Sequence, residues 1–114
     1  MQYLFLLWGD EDAEMEMTAD DRHAVIAAHR EFAQGLRAAG RSVSGEAVGP
    51  SGDAIVVRRA GRAASATDGP FLETKEQLGG FYVIDCVDGA DAIAVAGDIP
   101  ASPGLVVEIR TIPD

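Results

Sequence analysis

The chain has 114 residues, the size of one domain, and at that length folding removes roughly two thirds of the unfolded chain's surface from water. Hydrophobic residues make up 47% and charged residues 25%, a balance that gives one core without disulfides or a structural metal. The formal charge is -10, from 19 acidic and 9 basic residues with no basic cluster, which argues against direct binding to nucleic acid or to an anionic membrane.

Tyr3 to Trp8 is a short, continuous apolar run, the pattern of a strand buried on both faces. It is far too short to cross a bilayer, and no basic leader precedes it. Cys86 is the single cysteine, so no intrachain disulfide forms, and the expected compartment is the reducing cytoplasm. Gly9-Asp10 ends the first strand, and residues 10–17 read as an acidic loop. Thr18 and Asp21 stand in capping-box spacing and open a helix expected to reach Ala39, with Gly40 just beyond it. Its apolar stripe is Val25, Ile26, Phe32, Ala33, Leu36 and Ala39.

Ser42 to Val48 is a short strand candidate closed by Gly49-Pro50, and Ala54 to Arg59 is a more strongly patterned one. Gly61-Arg62 has the composition of a hairpin turn, so Ala63 to Thr67 should pair back. Asp68-Gly69-Pro70-Phe71 is a turn, and Thr74 to Leu78 reads as one helical turn broken by Gly79-Gly80. Phe81 to Val87 is a second strand apolar on both faces, Asp88 caps a short helix ended by Gly97 and Pro100, and Leu105 to Ile112 is the last strand.

The resulting order, β-α-β-β-β-α-β, predicts an α+β chain forming one domain over residues 1–114: a ferredoxin-like sandwich with an added β-hairpin. Two helices cover one face of such a sheet. The other face would carry alternate members of the Tyr3–Trp8 and Phe81–Val87 runs, an apolar patch larger than monomers normally expose. Pairing two such faces about a two-fold axis removes it, so a homodimer is expected.

The block from Asp68-Gly69-Pro70-Phe71 through Glu73-Thr74-Lys75-Glu76-Gln77-Leu78-Gly79-Gly80-Phe81-Tyr82 resembles the signature of the YCII-related family, specifically its DGPF branch. The opening Tyr3-Leu4-Phe5-Leu6-Leu7, Val57-Arg58 before the hairpin and the closing Val107-Glu108-Ile109-Arg110 are similar to the same branch, although Thr111 stands where a proline is usual. The resemblance spans nearly the whole chain. It implies a dimeric fold related to the ferredoxin-like dimeric α/β barrels. It also implies a largely uncharacterised branch whose members often sit beside or fused to alternative sigma factors. A few relatives in the wider superfamily act on small aromatic or lactone substrates, and some of the wider family use a His-Asp pair.

His29 lies four residues after Val25 and four before Ala33, which aims its imidazole at the sheet. A histidine there is either a hydrogen-bonded core residue or a general acid/base working near neutral pH. Asp68 fits turn chemistry but also stands on a loop of the kind that carries sites. Phe71 either anchors that loop or lines a pocket. Lys75 and Arg58 would bind an anionic group if they faced a cleft, and otherwise sit in a solvated charged surface. Tyr82 and Asp85 fall on opposite strand faces. His23 and His29 project from different sides of the helix and make a poor metal pair.

Two functions are compatible with these residues. One is a dimeric small-molecule site between the sheet and the first helix, performing cofactor-free proton transfer such as isomerisation or elimination. His29 and Asp68 would handle the proton, with Arg58, Phe71, Lys75 and Tyr82 binding the ligand and no metal involved. The other is a non-enzymatic regulatory module that partners a sigma-factor-type regulator. It would have a surface site and no acid/base geometry.

Overall fold

The computed structural model describes residues 1–114. Its elements in chain order are β1 (Gln2–Asp10), α1 (Glu11–Met15), α2 (Ala19–Ala38), β2 (Val43–Ala47), β3 (Ile55–Ala60), β4 (Ala63–Asp68), β5 (Glu76–Asp85), α3 (Gly89–Gly97) and β6 (Val106–Thr111), with one turn of 3-10 helix at Ser51–Asp53. Four strands form an antiparallel sheet in the order β2-β5-β1-β6, and β3 and β4 form a separate two-stranded sheet. This mixed α+β arrangement is compatible with a ferredoxin-like fold.

The most apolar strands take the centre. β1 pairs with β5 from Gln2 opposite Asp85 to Asp10 opposite Glu76, and with β6 on its other edge. Tyr3, Phe5, Ile84 and Cys86 point to the side that α3 covers with Ala92 and Val95, and Phe5 and Ile84 are fully buried. The C-terminal half of α2 adds Phe32, Ala33 and Leu36 to the same side. Leu4, Leu6, Phe81 and Val83 alternate with these residues and stay half-buried on the opposite side, which neither long helix covers.

Two local readings of the sequence are corrected. Residues 10–17 are not simply an acidic loop, because Asp10 accepts a bond from the Ala13 amide at 3.2 Å and starts α1. Thr74 to Leu78 is not a helical turn. The Gln77 amide group donates to the Leu72 and Thr74 carbonyls and ties down a loop, and β5 begins at Glu76. The Gly79-Gly80 pair lies inside β5, where the register jumps from Leu7 opposite Gly80 to Trp8 opposite Leu78, so Gly79 is the extra residue of a bulge.

The α2 stripe is divided. Its C-terminal half packs on the sheet, but Ile26 is 55% exposed and Val25 is only partly covered. The N-terminal half of α2 therefore stands off from the sheet, and the space beneath it is the candidate site.

Candidate functional site

A cavity of about 680 Å³ lies between the N-terminal half of α2, α1 and the adjoining ends of β2, β5 and β1, within the usual size range for small-molecule sites. Its apolar wall includes Leu7, Met17, Val25, Ile26 and Leu78, and its polar groups include His29, Tyr82, Glu14 and Arg22.

His29 is held at the inner end. Its Nδ1 lies 2.7 Å from the Tyr82 hydroxyl, and the two rings stack with centroids 5.9 Å apart and planes 25° apart. Phe32 meets Tyr82 edge-on at 5.4 Å. Helical spacing brings His29 and Phe32 over the same strand residue, and β5 presents Tyr82 on the helix side of the sheet with Ile84 and Cys86. Gly45 sits directly opposite Tyr82 on β2. A Cβ there would strike the Phe81 carbonyl oxygen and come within 2.8 Å of the Tyr82 ring. The missing side chain makes room for the phenol beneath His29.

Burial holds His29 below its ordinary pKa and raises that of Tyr82, so both are neutral at neutral pH. Nε2 has no hydrogen-bond partner within the chain and is not sealed from water. When Nδ1–H donates to the Tyr82 oxygen, Nε2 is the free basic nitrogen at the cavity wall.

Glu14 is a third titratable group of the cavity, and the one that sequence reasoning passed over. Burial, then the neighbouring charges of Glu11 and Asp10, raises its pKa. The signal for it was present in Asp10, an N-cap residue followed by acids in a first helical turn. Arg22 donates to the Glu14 and Met15 carbonyls at 3.3 and 2.9 Å, closing the C-terminal end of α1.

Of the residues expected to form a site, His29 and Tyr82 meet here. The other four do not line the cavity. Asp68 is exposed at the end of β4, opposite Ile55, so it is not brought to His29 within one chain. Lys75 pairs with Asp10 at 3.1 Å instead of facing a cleft. Arg58 stands 5.8 Å from the centre of the Phe71 ring, and Phe71 is 69% exposed. The reason is the independence of the β3–β4 sheet, which carries Arg58 and Asp68 away from α2.

A half-covered antiparallel sheet, two helices on one side and a largely apolar cavity under the longer one define a small α+β domain with an internal cavity. The chain matches the model of the YCII-related domain over residues 1–113, and it belongs to that family. It is 31% identical over 103 residues to an uncharacterised protein of Rhizobium meliloti (strain 1021), an alignment covering 87% of this chain and 80% of that one. No helix is long and apolar enough to cross a membrane.

Proposed function

We propose that this protein binds a small uncharged organic molecule in the α2 cavity and catalyses cofactor-free proton transfer on it. The observation that carries the reading is the His29–Tyr82 pair: a neutral imidazole, oriented through Nδ1, with Nε2 unpartnered at the wall of an apolar cavity. Nε2 takes a proton from the carbon beside a carbonyl, and the imidazolium it becomes is stabilised by its Nδ1–H bond to the Tyr82 oxygen. The same nitrogen then returns the proton at a neighbouring position. An uncharged ligand follows from the lining. Glu11, Glu14 and Glu46 face the cavity, and its one cation, Arg22, is committed to carbonyl oxygens.

The Asp68–Tyr82 block supports placement in the DGPF branch. The half-buried Leu4, Leu6, Phe81 and Val83 surface supports a homodimer joined through the open sheet face, and the lone buried thiol of Cys86 fits the cytoplasm.

The test is deuterium exchange. δ-Valerolactone and acetophenone in heavy water, followed by proton NMR, should lose their α-proton signals faster with the protein than without it, and His29→Gln should abolish the gain. Equal exchange with and without protein, together with no shift of the Tyr82 resonances on adding either probe, overturns the proposal. The sigma-factor partner reading would survive that result, and binding to an alternative sigma factor that is unaffected by His29→Gln would favour it.

A further inference from the structure

The β3–β4 hairpin stands apart from the domain. No other helix or strand packs on it to any extent, and every residue of β4 is exposed. The radius of gyration is 15.9 Å, against about 13 Å for a compact chain of this length. The hairpin is well specified locally: Gly61 takes φ 61° at the first position of a two-residue turn, and six residue pairs run from Ile55 opposite Asp68 to Ala60 opposite Ala63. Yet an isolated two-stranded hairpin is marginal in water. One of its faces is bare and carries an apolar centre flanked by Arg59 and Asp68. Ile55 and Val57 are 67% and 57% exposed and share that face with Ala64 and Ala66.

The charge of this arm is opposite to that of the body. It holds Arg58, Arg59 and Arg62 against a single acid, Asp68, in a chain of formal charge -10. Arg62 makes no side-chain bond, and Arg59 reaches only the Gly61 carbonyl at 3.3 Å. The matching surface is the rim of the cavity. Between Asp10 and Asp21 the chain has seven carboxylates and no basic residue. That rim also exposes apolar side chains, with Met15 67% and Ile26 55% exposed. One chain thus carries both halves of a complementary pair. It does not join them: the arm's root is tied to α1, where the Ser51 amide donates to the Glu11 carboxylate at 2.9 Å, but no residue of the arm itself lines the cavity.

We propose that the β3–β4 arm of one copy lies across the acidic α1 rim of a second copy, closing that copy's cavity, with the reciprocal contact completing a two-fold pair. Ile55, Val57 and the alanines of that face cover Met15 and Ile26, and the arm's arginines meet the rim's carboxylates. Complementary halves on one chain that do not meet within it can close in a reciprocal pair. The contact goes beyond the sheet-face pairing and sets the arm's arginines against the rim's carboxylates, outside a cavity whose one cation, Arg22, is committed to carbonyl oxygens.

The experiment is a cross-link between two full-length variants at exposed positions, Arg62→Cys and Glu16→Cys, mixed with a short bismaleimide. Cys86, 2% exposed, is out of the reagent's reach. A covalent dimer in the mixture, absent from either variant alone and suppressed in 0.5 M salt (about a 4 Å screening length), is the expected result. A companion measurement uses charge exchange. Arg59→Glu/Arg62→Glu and Asp12→Lys/Glu16→Lys should each lose the arm contact, read by protection of Met15 from oxidation. Mixing them should restore it, because both contacts of the mixed pair are again complementary. No cross-link in the mixture, or Met15 protection indifferent to all four changes, overturns the proposal. The deuterium-exchange result for His29 is read separately and does not depend on it.

Discussion

Replacing Tyr82 with phenylalanine removes one hydroxyl and little else. The ring remains, and with it the edge contact to Phe32 at 5.4 Å and the stack on His29 at 5.9 Å. What is lost is the 2.7 Å bond to Nδ1. A neutral hydrogen bond contributes a net of about 1 kcal/mol, and a partner left half-exposed to water recovers part of its solvation, so about 0.5–1.5 kcal/mol is expected. For a domain of this size that lowers Tm by roughly 4 °C. The contact is isolated by a cycle of Tyr82→Phe, His29→Ala and the double variant, each unfolded in urea at pH 7.5. The coupling should be about 1 kcal/mol, because the hydroxyl has no role once the imidazole is gone. Additivity within about 0.3 kcal/mol would show that the two groups do not interact, and the orientation of His29 would lose its cause.

Gly45→Ala should destabilise by about 1–3 kcal/mol, since the new methyl meets backbone at Phe81 and the Tyr82 ring together, and neither yields freely. Urea unfolding gives the size, and the difference in fluorescence between Gly45→Ala and Gly45→Ala/Tyr82→Phe, which isolates the Tyr82 signal, tells whether the tyrosine has moved. Acid should act through His29. Its pKa is lowered by burial in the folded chain, so stability is undiminished above the unfolded value of about 6.5 and falls as pH drops from there toward the lower folded value. His29→Gln should flatten that part of the stability profile. A different window belongs to Asp91. Bidentate bonds from Arg41 at 2.7 and 2.9 Å, with the Val87 amide, hold it at about 2. The stabilisation it brings is present above the unfolded carboxylate value and is lost as pH falls toward about 2, so Asp91→Asn should raise the midpoint of acid unfolding.

Much of the fold was legible because its signals are local. The Thr18–Asp21 capping box, the Gly40 terminus, the Gly61-Arg62 turn and the Asp88 cap each name their element through short-range hydrogen bonding or permitted φ. The readings that failed depend on what lies opposite in space. Thr74 and Gln77 have helix-capping spacing, but Gln77 bonds backward to Leu72, and the sheet claims the segment from Glu76. Asp10 serves as the last residue of β1 and the cap of α1, so the acidic stretch after it folds where composition alone reads as loop.

The site divides along the same line. His29 was legible because helix periodicity aims it at the sheet, and Tyr82 because strand alternation puts it on that side. Their meeting depends on Gly45, whose importance appears only once β2 is laid beside β5. Asp68 and Phe71 were grouped with His29 on the strength of a motif contiguous in sequence, and Arg58 as a cation that would face the same cleft. The hairpin carries Arg58 and Asp68 off the cavity and leaves Phe71 beyond its end, and no local signal gives the direction in which a hairpin leaves its root.

Nitrogen NMR of ¹⁵N-labelled imidazole side chains across pH 4–9, assigned with His29→Gln, reads the arrangement at the wall of the cavity most directly. One nitrogen of His29 should hold its proton against Tyr82 in a single dominant tautomer, with a protonation midpoint below about 6.5, and Tyr82→Phe should mix the tautomers. A ring that already exchanges between tautomers in the unmodified protein, or that protonates at or above that value, would contradict the role given to His29.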